Sequence, residues 1–221
     1  MKRHNKRTKK LFYDKYVYKV TVWTNLAEHF RGNDMSATTL YIQNIYDNMI
    51  LKGENERSWG SRWNTKNITL EQVQREVAFC HLISSLESYH VRVEGSHLSV
   101  YTNDEGFLDT ASELYKQPYA LKEIWRPEND KIKEFLLSNP KKILRPEYSH
   151  KYKVTVNSIP DAESFKQWAS KLPKLKVMSK NNYVVGGYFY VADEKTLSLC
   201  RIFLGSRIRR VDEILLESEI S

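Results

Sequence analysis

The sequence lacks most of the features that mark secreted, membrane-spanning and disulfide-rich proteins. It contains only two cysteines, Cys80 and Cys200, and each lies in an apolar stretch, so we interpret them as buried thiols in a reducing compartment. No apolar run approaches the roughly 20 residues that cross a bilayer, and the polar start of the chain offers no signal-peptide core. The sequence therefore predicts a cytoplasmic protein with no membrane association.

Motifs for catalysis and for cofactors are also missing. The six histidines show no metal-ligand spacing, and the chain has neither a phosphate-cradling glycine loop nor a recognisable paired-carboxylate motif. We therefore predict no metal, no cofactor and no catalytic residues, which makes an enzyme the less favoured class.

Positive charge is concentrated at the start of the chain. The formal net charge is +8 at pH 7, but six Lys or Arg residues fall within the first ten positions, MKRHNKRTKK. The rest of the chain is close to neutral for its size. We interpret residues 1–10 as a flexible basic arm that can hold phosphates without sequence preference.

One five-residue sequence, YKVTV, occurs twice, at positions 18–22 and 152–156. Each copy leads into a similar helix start, AEHF in the first half and AESF in the second. Both halves then continue with helical periodicity, an alternating hairpin, a second helix and a final strand. This β-α-β-β-α-β order predicts an α+β protein made of two tandem ferredoxin-like units.

The predicted organisation follows from this repeat. After the arm come a first unit over residues 11–127, a connector over residues 128–147 and a second unit over residues 148–221. Residues 31–67 have no counterpart in the second half, and we interpret them as an insertion that contains an extra helix. Insertions on a repeated scaffold are common places for function.

Capping boxes give two local predictions of helix starts. Thr69 and Gln72 have the required spacing ahead of one helical pattern, and Thr102 and Glu105 have it ahead of the next.

A ferredoxin-like sheet packs one face on its helices and leaves the other face open. Alternation assigns Val20 and Val22 to the helix side and leaves cations, polar groups and aromatic rings on the open side. In the second unit, either Tyr188 with Tyr190 or Phe189 with Val191 lies on that side. Rings that stack bases and cations that hold phosphates are typical of single-strand nucleic-acid binding. The candidate nucleic-acid-binding residues are Lys19, Trp23, Arg92, His97, Tyr101, Lys153, Tyr188 and Tyr190.

The stretch VGGYFYV resembles the aromatic strand motif of RNA-recognition domains, with matches at Gly187, Tyr188, Tyr190 and Val191. This resemblance implies binding of single-stranded RNA, and single-stranded DNA stays an equal possibility. The tandem fold and the basic balance also resemble CRISPR repeat-processing endoribonucleases. That second resemblance implies a metal-independent RNA cleavage in which His29 corresponds to the general base.

A third functional class, protein–protein interaction or structural assembly, stays open. In the loop SWGSRW, Trp59 and Trp63 flank Arg62, and exposed Trp–Arg clusters are typical of interface anchors. The same loop could equally be a lid on the core of the first unit. The phrases SVYTNDEGFLD and the two RPE junctions are similar to small bacteriophage-type proteins of unknown activity, which implies a viral accessory role in the host cytoplasm and assigns no functional residue.

Overall fold

The computed structural model describes residues 4–32, 34–61, 64–117 and 119–220, without the side chains of residues 59–61, 64 and 65. The chain forms two compact units, Met1–Lys133 and Glu134–Ser221. Each unit contains one five-stranded sheet with helices packed on one face, which confirms the α+β class. In the part of the chain that is described, no helix is both long enough and apolar enough to span a membrane.

The first unit is built around β2, the first copy of the repeated sequence. Its sheet has the strand order β1-β7-β2-β6-β5, and a separate hairpin pairs β3 with β4. The strands are β1 (His4–Arg7), β2 (Tyr18–Trp23), β3 (Glu56–Ser61), β4 (Asn64–Thr69), β5 (Tyr89–Glu94), β6 (His97–Thr102) and β7 (Leu121–Arg126), and the helices are α1 (Met35–Lys52), α2 (Leu70–Ser84) and α3 (Gly106–Leu114).

The second unit is built in the same way around β9, the second copy. Its sheet has the strand order β10-β11-β9-β12-β8. Helix α4 (Asp130–Ser138) contains the boundary between the units. The remaining elements are β8 (Lys142–Arg145), β9 (Tyr152–Val156), α5 (Ala162–Ser170), β10 (Leu175–Val177), β11 (Gly187–Val191), α6 (Glu194–Leu204) and β12 (Ile208–Leu216).

Both sheets therefore place the repeated strand at their centre. The last strand of each unit pairs with it antiparallel on one side, and the second hairpin strand pairs with it antiparallel on the other. Each sheet also carries an edge strand that the sequence did not predict, β1 or β8, which pairs parallel with the last strand.

The residues that the sequence assigned to the helix side of the central strand are buried as predicted. Val20 and Val22 are buried on the helix side of β2, where the core also contains Phe79 and Tyr115 in edge-to-face contact at 4.9 Å between ring centroids. In the second unit, Phe189 points to the helix side and packs on Phe165 of α5 at 5.4 Å. Burying such rings supplies much of the favourable free energy of folding.

The capping predictions had different outcomes. Thr69 and Gln72 form the predicted reciprocal capping box at the start of α2. The second prediction was wrong, because Glu105 makes no side-chain cap and Asp104 instead accepts a hydrogen bond from the amide of Phe107.

The expectation of a flexible arm over residues 1–10 also differs from the structure. His4–Arg7 forms β1, and its backbone pairs residue by residue with Glu123–Arg126 of β7. Because pairing at a sheet edge uses backbone groups, a segment of charged and polar residues can adopt it without an alternating pattern.

Candidate nucleic-acid interface

The front face of each sheet is the face that points away from its helices. Strand register places the predicted residues of the first unit on one such face, in rows that run across the sheet. The first front face consists of Lys19, Thr21, Trp23, His90, Arg92, His97, Ser99, Tyr101, Glu123 and Trp125.

Two side chains from the linker between β1 and β2 cover much of this face, and we call Phe12 and Tyr13 the aromatic cover. The ring of Phe12 lies 5.4 Å from Tyr101 and 6.0 Å from Trp125 between centroids. The ring of Tyr13 lies 4.9 Å from Tyr101 and 4.1 Å from His90. Tyr101 is only 6% exposed, and burial raises its pKa to about 12. The prediction that Tyr101 is an exposed stacking platform was therefore wrong.

A tight turn presents the aromatic cover to the sheet. Backbone hydrogen bonds join Phe12 and Tyr16 in both directions, and Tyr13 and Asp14 between them have positive φ angles of 51° and 59°. Residues other than glycine rarely adopt this backbone conformation. The ring contacts of Phe12 and Tyr13 favour the turn and so offset its conformational cost.

Lys19 is also engaged within the first unit. Its ammonium group donates to the carboxylate of Glu123 at 2.6 Å, and Lys6 of β1 donates to the same carboxylate. Burial opposes ionisation of Glu123, but the hydrogen bonds from the two lysines outweigh burial and lower its pKa to about 2. A phosphate that approached Lys19 would have to compete with this buried carboxylate.

The remaining predicted residues of the first unit do not form a cluster. Arg92 is exposed but pairs with Glu94 and hydrogen-bonds to Tyr13 of the aromatic cover. Trp23 is half-buried and lies opposite the exposed His97 at the end of β2. The structure therefore brings Lys19 and Tyr101 together under a cover and leaves Trp23, Arg92 and His97 at the margins.

The second front face contains Lys153, Thr155, Lys176, Tyr188, Tyr190, Arg210 and Asp212. Since Phe189 and Val191 are buried on the helix side, Tyr188 and Tyr190 are the pair on the front. Their rings meet edge to face at 5.7 Å between centroids, and the ammonium group of Lys153 lies 4.3 Å from the centroid of Tyr188. Two partly exposed rings and a cation are thus held next to each other on a rigid strand pair.

An open pocket of about 240 Å³ adjoins these rings on the second front face. Two of its lining residues are cationic side chains from the edge strands of the sheet, Arg145 of β8 and Lys176 of β10. Tyr190 and the buried Ile214, which also line it, belong to the strands between them. The pocket is lined by Arg145, Glu147, Tyr148, Ser149, His150, Lys176, Tyr190 and Ile214.

His150 stands in the wall of this pocket. Its ring is 6.3 Å from Tyr190 between centroids, and its Nδ1 lies 2.7 Å from the hydroxyl of Ser149. Burial and the charge of Lys176 lower the pKa of His150.

The two front faces differ because their linkers differ. In the first unit, residues 8–17 connect β1 to β2 and carry the aromatic cover. In the second unit, the shorter segment 146–151 connects β8 to β9, and its side chains Tyr148 and His150 line the wall of an open pocket. The linker ahead of the central strand thus covers the front face of the first unit. In the second unit, the corresponding linker leaves an open pocket of cations and aromatic rings on the front face.

Sequence reasoning did not find Arg145, His150 or Lys176. Arg145 was included in the predicted connector, residues 128–147, and β8 was not recognised as a strand. Alternation in KLKV could have placed Lys176 on the front, but only the fold brings it to the same pocket as Arg145.

The other candidate residues lie elsewhere. Arg62 and Trp63 fall outside the described residues, and so does the side chain of Trp59 in β3, so the predicted partner-binding loop stays a prediction. His29 lies in a short 3-10 turn, where its ring packs on Tyr41 at 4.5 Å and burial lowers its pKa.

No protein-family model, curated protein or solved structure matches this chain. Among the described residues, no group of three or more His, Cys, Asp or Glu side chains is arranged to hold a metal ion.

Proposed function

We propose that this protein binds single-stranded nucleic acid through the second front face. The observation that carries the proposal is the row of Lys176, Tyr190 and Lys153 across neighbouring strands, with Tyr188 beside it. Aromatic rings stack on unpaired bases of any sequence, and cations beside them neutralise the phosphates. A duplex hides its base faces, so this surface favours single strands.

We also propose that both units are ferredoxin-like. Leaving aside the edge strands β1 and β8, the four strands of each sheet lie in the order fourth, first, third, second. All neighbours among these four are antiparallel, and helices connect the first strand to the second and the third to the fourth. This arrangement supports the β-α-β-β-α-β interpretation of the sequence.

Protein–protein interaction, through self-association, is the second candidate function. On the helix side of the second unit, Ile202 is 81% exposed, and Leu199 and Phe203 are about half as exposed. Phe203 stacks nearly parallel on Trp168 at 4.1 Å between centroids, which extends the apolar surface to a second aromatic ring. Exposed apolar patches of this kind are typical of interaction surfaces.

The test of the first candidate is the affinity of Tyr188 variants for a fluorescent 12-nucleotide RNA or DNA strand, measured by anisotropy. Loss of one stacking ring costs about 1–3 kcal/mol, so we expect Tyr188→Ala to weaken binding by roughly 5- to 150-fold. Tyr188→Phe retains the ring and should bind within about twofold of the original protein. Tyr41→Ala, which removes a partly exposed tyrosine from α1, is the matched control.

Equal affinity of Tyr188→Ala and the unsubstituted chain would contradict the assignment to the second front face. No binding of either strand at micromolar protein, together with elution as a dimer in gel filtration, would favour the self-association function instead.

A further inference from the structure

The pocket on the second front face has an ordered set of groups across the sheet that a general basic patch would lack. Arg145 and Lys176 lie on its two outermost strands, which are four strand spacings, or about 19 Å, apart at the backbone. Both side chains are long, and both line the same pocket with the ring of Tyr190 between them. The pocket thus offers a cation, an aromatic face and a second cation in that order.

We propose that this pocket holds one complete nucleotide step of the bound strand, with the base against Tyr190 and the two flanking phosphates at Arg145 and Lys176. This inference rests on the proposed function and adds to it the path of the strand, which runs across the sheet between β8 and β10. The preferred small ligand is therefore a nucleoside 3′,5′-bisphosphate, which carries both phosphates.

The size and the wall of the pocket support this ligand class. A volume of about 240 Å³ is of the size of a single nucleotide. Tyr148, which is 38% exposed, adds a second ring from the linker. The hydroxyl of Ser149 and the ring of His150 add hydrogen-bonding groups beside the two cations.

Glu147 provides an internal check, because its carboxylate also lines the pocket. A carboxylate near a phosphate site weakens binding of an anion by Coulomb repulsion. Glu147→Gln should therefore tighten binding of the bisphosphate by roughly two- to fivefold, in line with the energies of exposed charge pairs. A gain of affinity cannot result from partial unfolding.

The experiment compares adenosine, adenosine 5′-monophosphate and adenosine 3′,5′-bisphosphate by titration into the full chain, followed by ¹H–¹⁵N chemical-shift changes. We expect affinity to rise with each phosphate by roughly tenfold, since each gains a charge-assisted hydrogen bond. Arg145→Ala and Lys176→Ala should each remove one of these increments, so that the bisphosphate binds no better than the monophosphate. Arg201→Ala, an exposed arginine of α6 that pairs with Glu194, is the matched control.

Three results would overturn the inference. If inorganic phosphate and pyrophosphate bind as tightly as the bisphosphate, the pocket is a plain anion site. If the 12-nucleotide strand binds and Tyr188→Ala weakens it while the bisphosphate causes no shifts at Tyr190, the pocket assignment fails and the proposed function stands. If neither the strand nor the bisphosphate binds, both fail.

Discussion

At the scale of single residues, Glu123 is the group that most strongly fixes the first front face. It accepts hydrogen bonds from Lys19 of β2 and Lys6 of β1, and its side chain is only 18% exposed. It therefore ties the edge strand to the centre of the sheet. It also engages Lys19, which the sequence had assigned to nucleic-acid binding on this face.

We expect Glu123→Gln to lower the free energy of unfolding by about 1–3 kcal/mol at pH 7, because hydrogen bonds to a charged group are lost from a partly buried site. The carboxyl group has a pKa near 4.5 when unfolded and about 2 when folded. Its contribution is thus complete above pH 4.5 and declines as the pH falls toward 2. Urea unfolding at pH 7 and at pH 3 measures both effects.

The control for this prediction is Glu113→Gln, which breaks an exposed pair with Lys116 and should change stability by less than about 0.5 kcal/mol. A stability difference between Glu123→Gln and the original protein that stayed constant from pH 7 to pH 3 would show that the carboxylate is not the source of the effect.

Residue-level prediction from sequence succeeded where alternation alone decides the answer. Val20, Val22 and the Tyr188–Tyr190 pair lie on the faces that period-two alternation assigns or allows. It failed for Tyr101, which lies on the predicted face but beneath Phe12. Which face a residue occupies is a local property, whereas exposure depends on segments distant in sequence.

At the scale of elements, the linker between the edge strand and the central strand decides which front face is accessible. The stretch LFYDKYV ahead of β2 contains the aromatic cover, and its aromatic residues were a visible signal that we did not connect to the sheet. The shorter second linker carries Tyr148 and His150 to the side of the pocket. The accessibility of the two front faces thus differs because of a few linker residues.

Removal of the more buried ring of the cover, Phe12, tests this division. We expect Phe12→Ala to lower the free energy of unfolding by about 1–3 kcal/mol, less than for a fully buried phenylalanine because Phe12 is half-buried. Faster amide hydrogen exchange should follow in β6, which contains Tyr101. Affinity for single strands should stay within about twofold of the original value, since the binding surface is assigned to the second unit.

Phe203→Ala, which removes a partly exposed ring from α6, is the matched control for stability and for exchange in β6. A tenfold gain in nucleic-acid affinity for Phe12→Ala would contradict the assignment, because it would identify the first front face as a binding surface blocked by its own linker.

The strands that were not predicted from the sequence share one property, the absence of period-two alternation. β1 (HNKR) and β8 (KILR) are short edge strands that pair through their backbones, and the β3–β4 hairpin lies in an insertion rich in polar residues. None shows the alternation of a half-buried strand, which is the signal that sequence reasoning uses. By contrast, the central strands and α2, with its capping box, have strong local signals and were predicted.

At the scale of the whole molecule, two units with one strand order have distinct surfaces. The first carries the insertion with α1 and a covered front face, and the second carries the open pocket. The repeated YKVTV sequence reports this shared framework, because both copies are central strands. It does not report function, since the residues that distinguish the faces lie in the linkers and at the sheet edges.

The net charge of +8 suggests salt-sensitive binding, and the proposed function assigns that sensitivity to the cations of the second front face. If Arg145, Lys153 and Lys176 each neutralise one phosphate, the logarithm of the binding constant should fall with the logarithm of salt concentration with a slope of about −2. Arg145→Ala should make the slope less steep by about 0.7, the value for one phosphate of a single strand. Replacing Lys9 and Lys10 together by Gln should leave the slope unchanged, because the proposed function assigns the phosphate contacts to cations of the second front face. Anisotropy titrations of the 12-nucleotide strand between 50 and 300 mM KCl, roughly the range over which counterion release dominates, provide the slopes.

The opposite result would be a slope that becomes less steep with the Lys9 and Lys10 substitutions and not with Arg145→Ala. It would assign the electrostatic attraction to the first ten residues and contradict the second front face as its source.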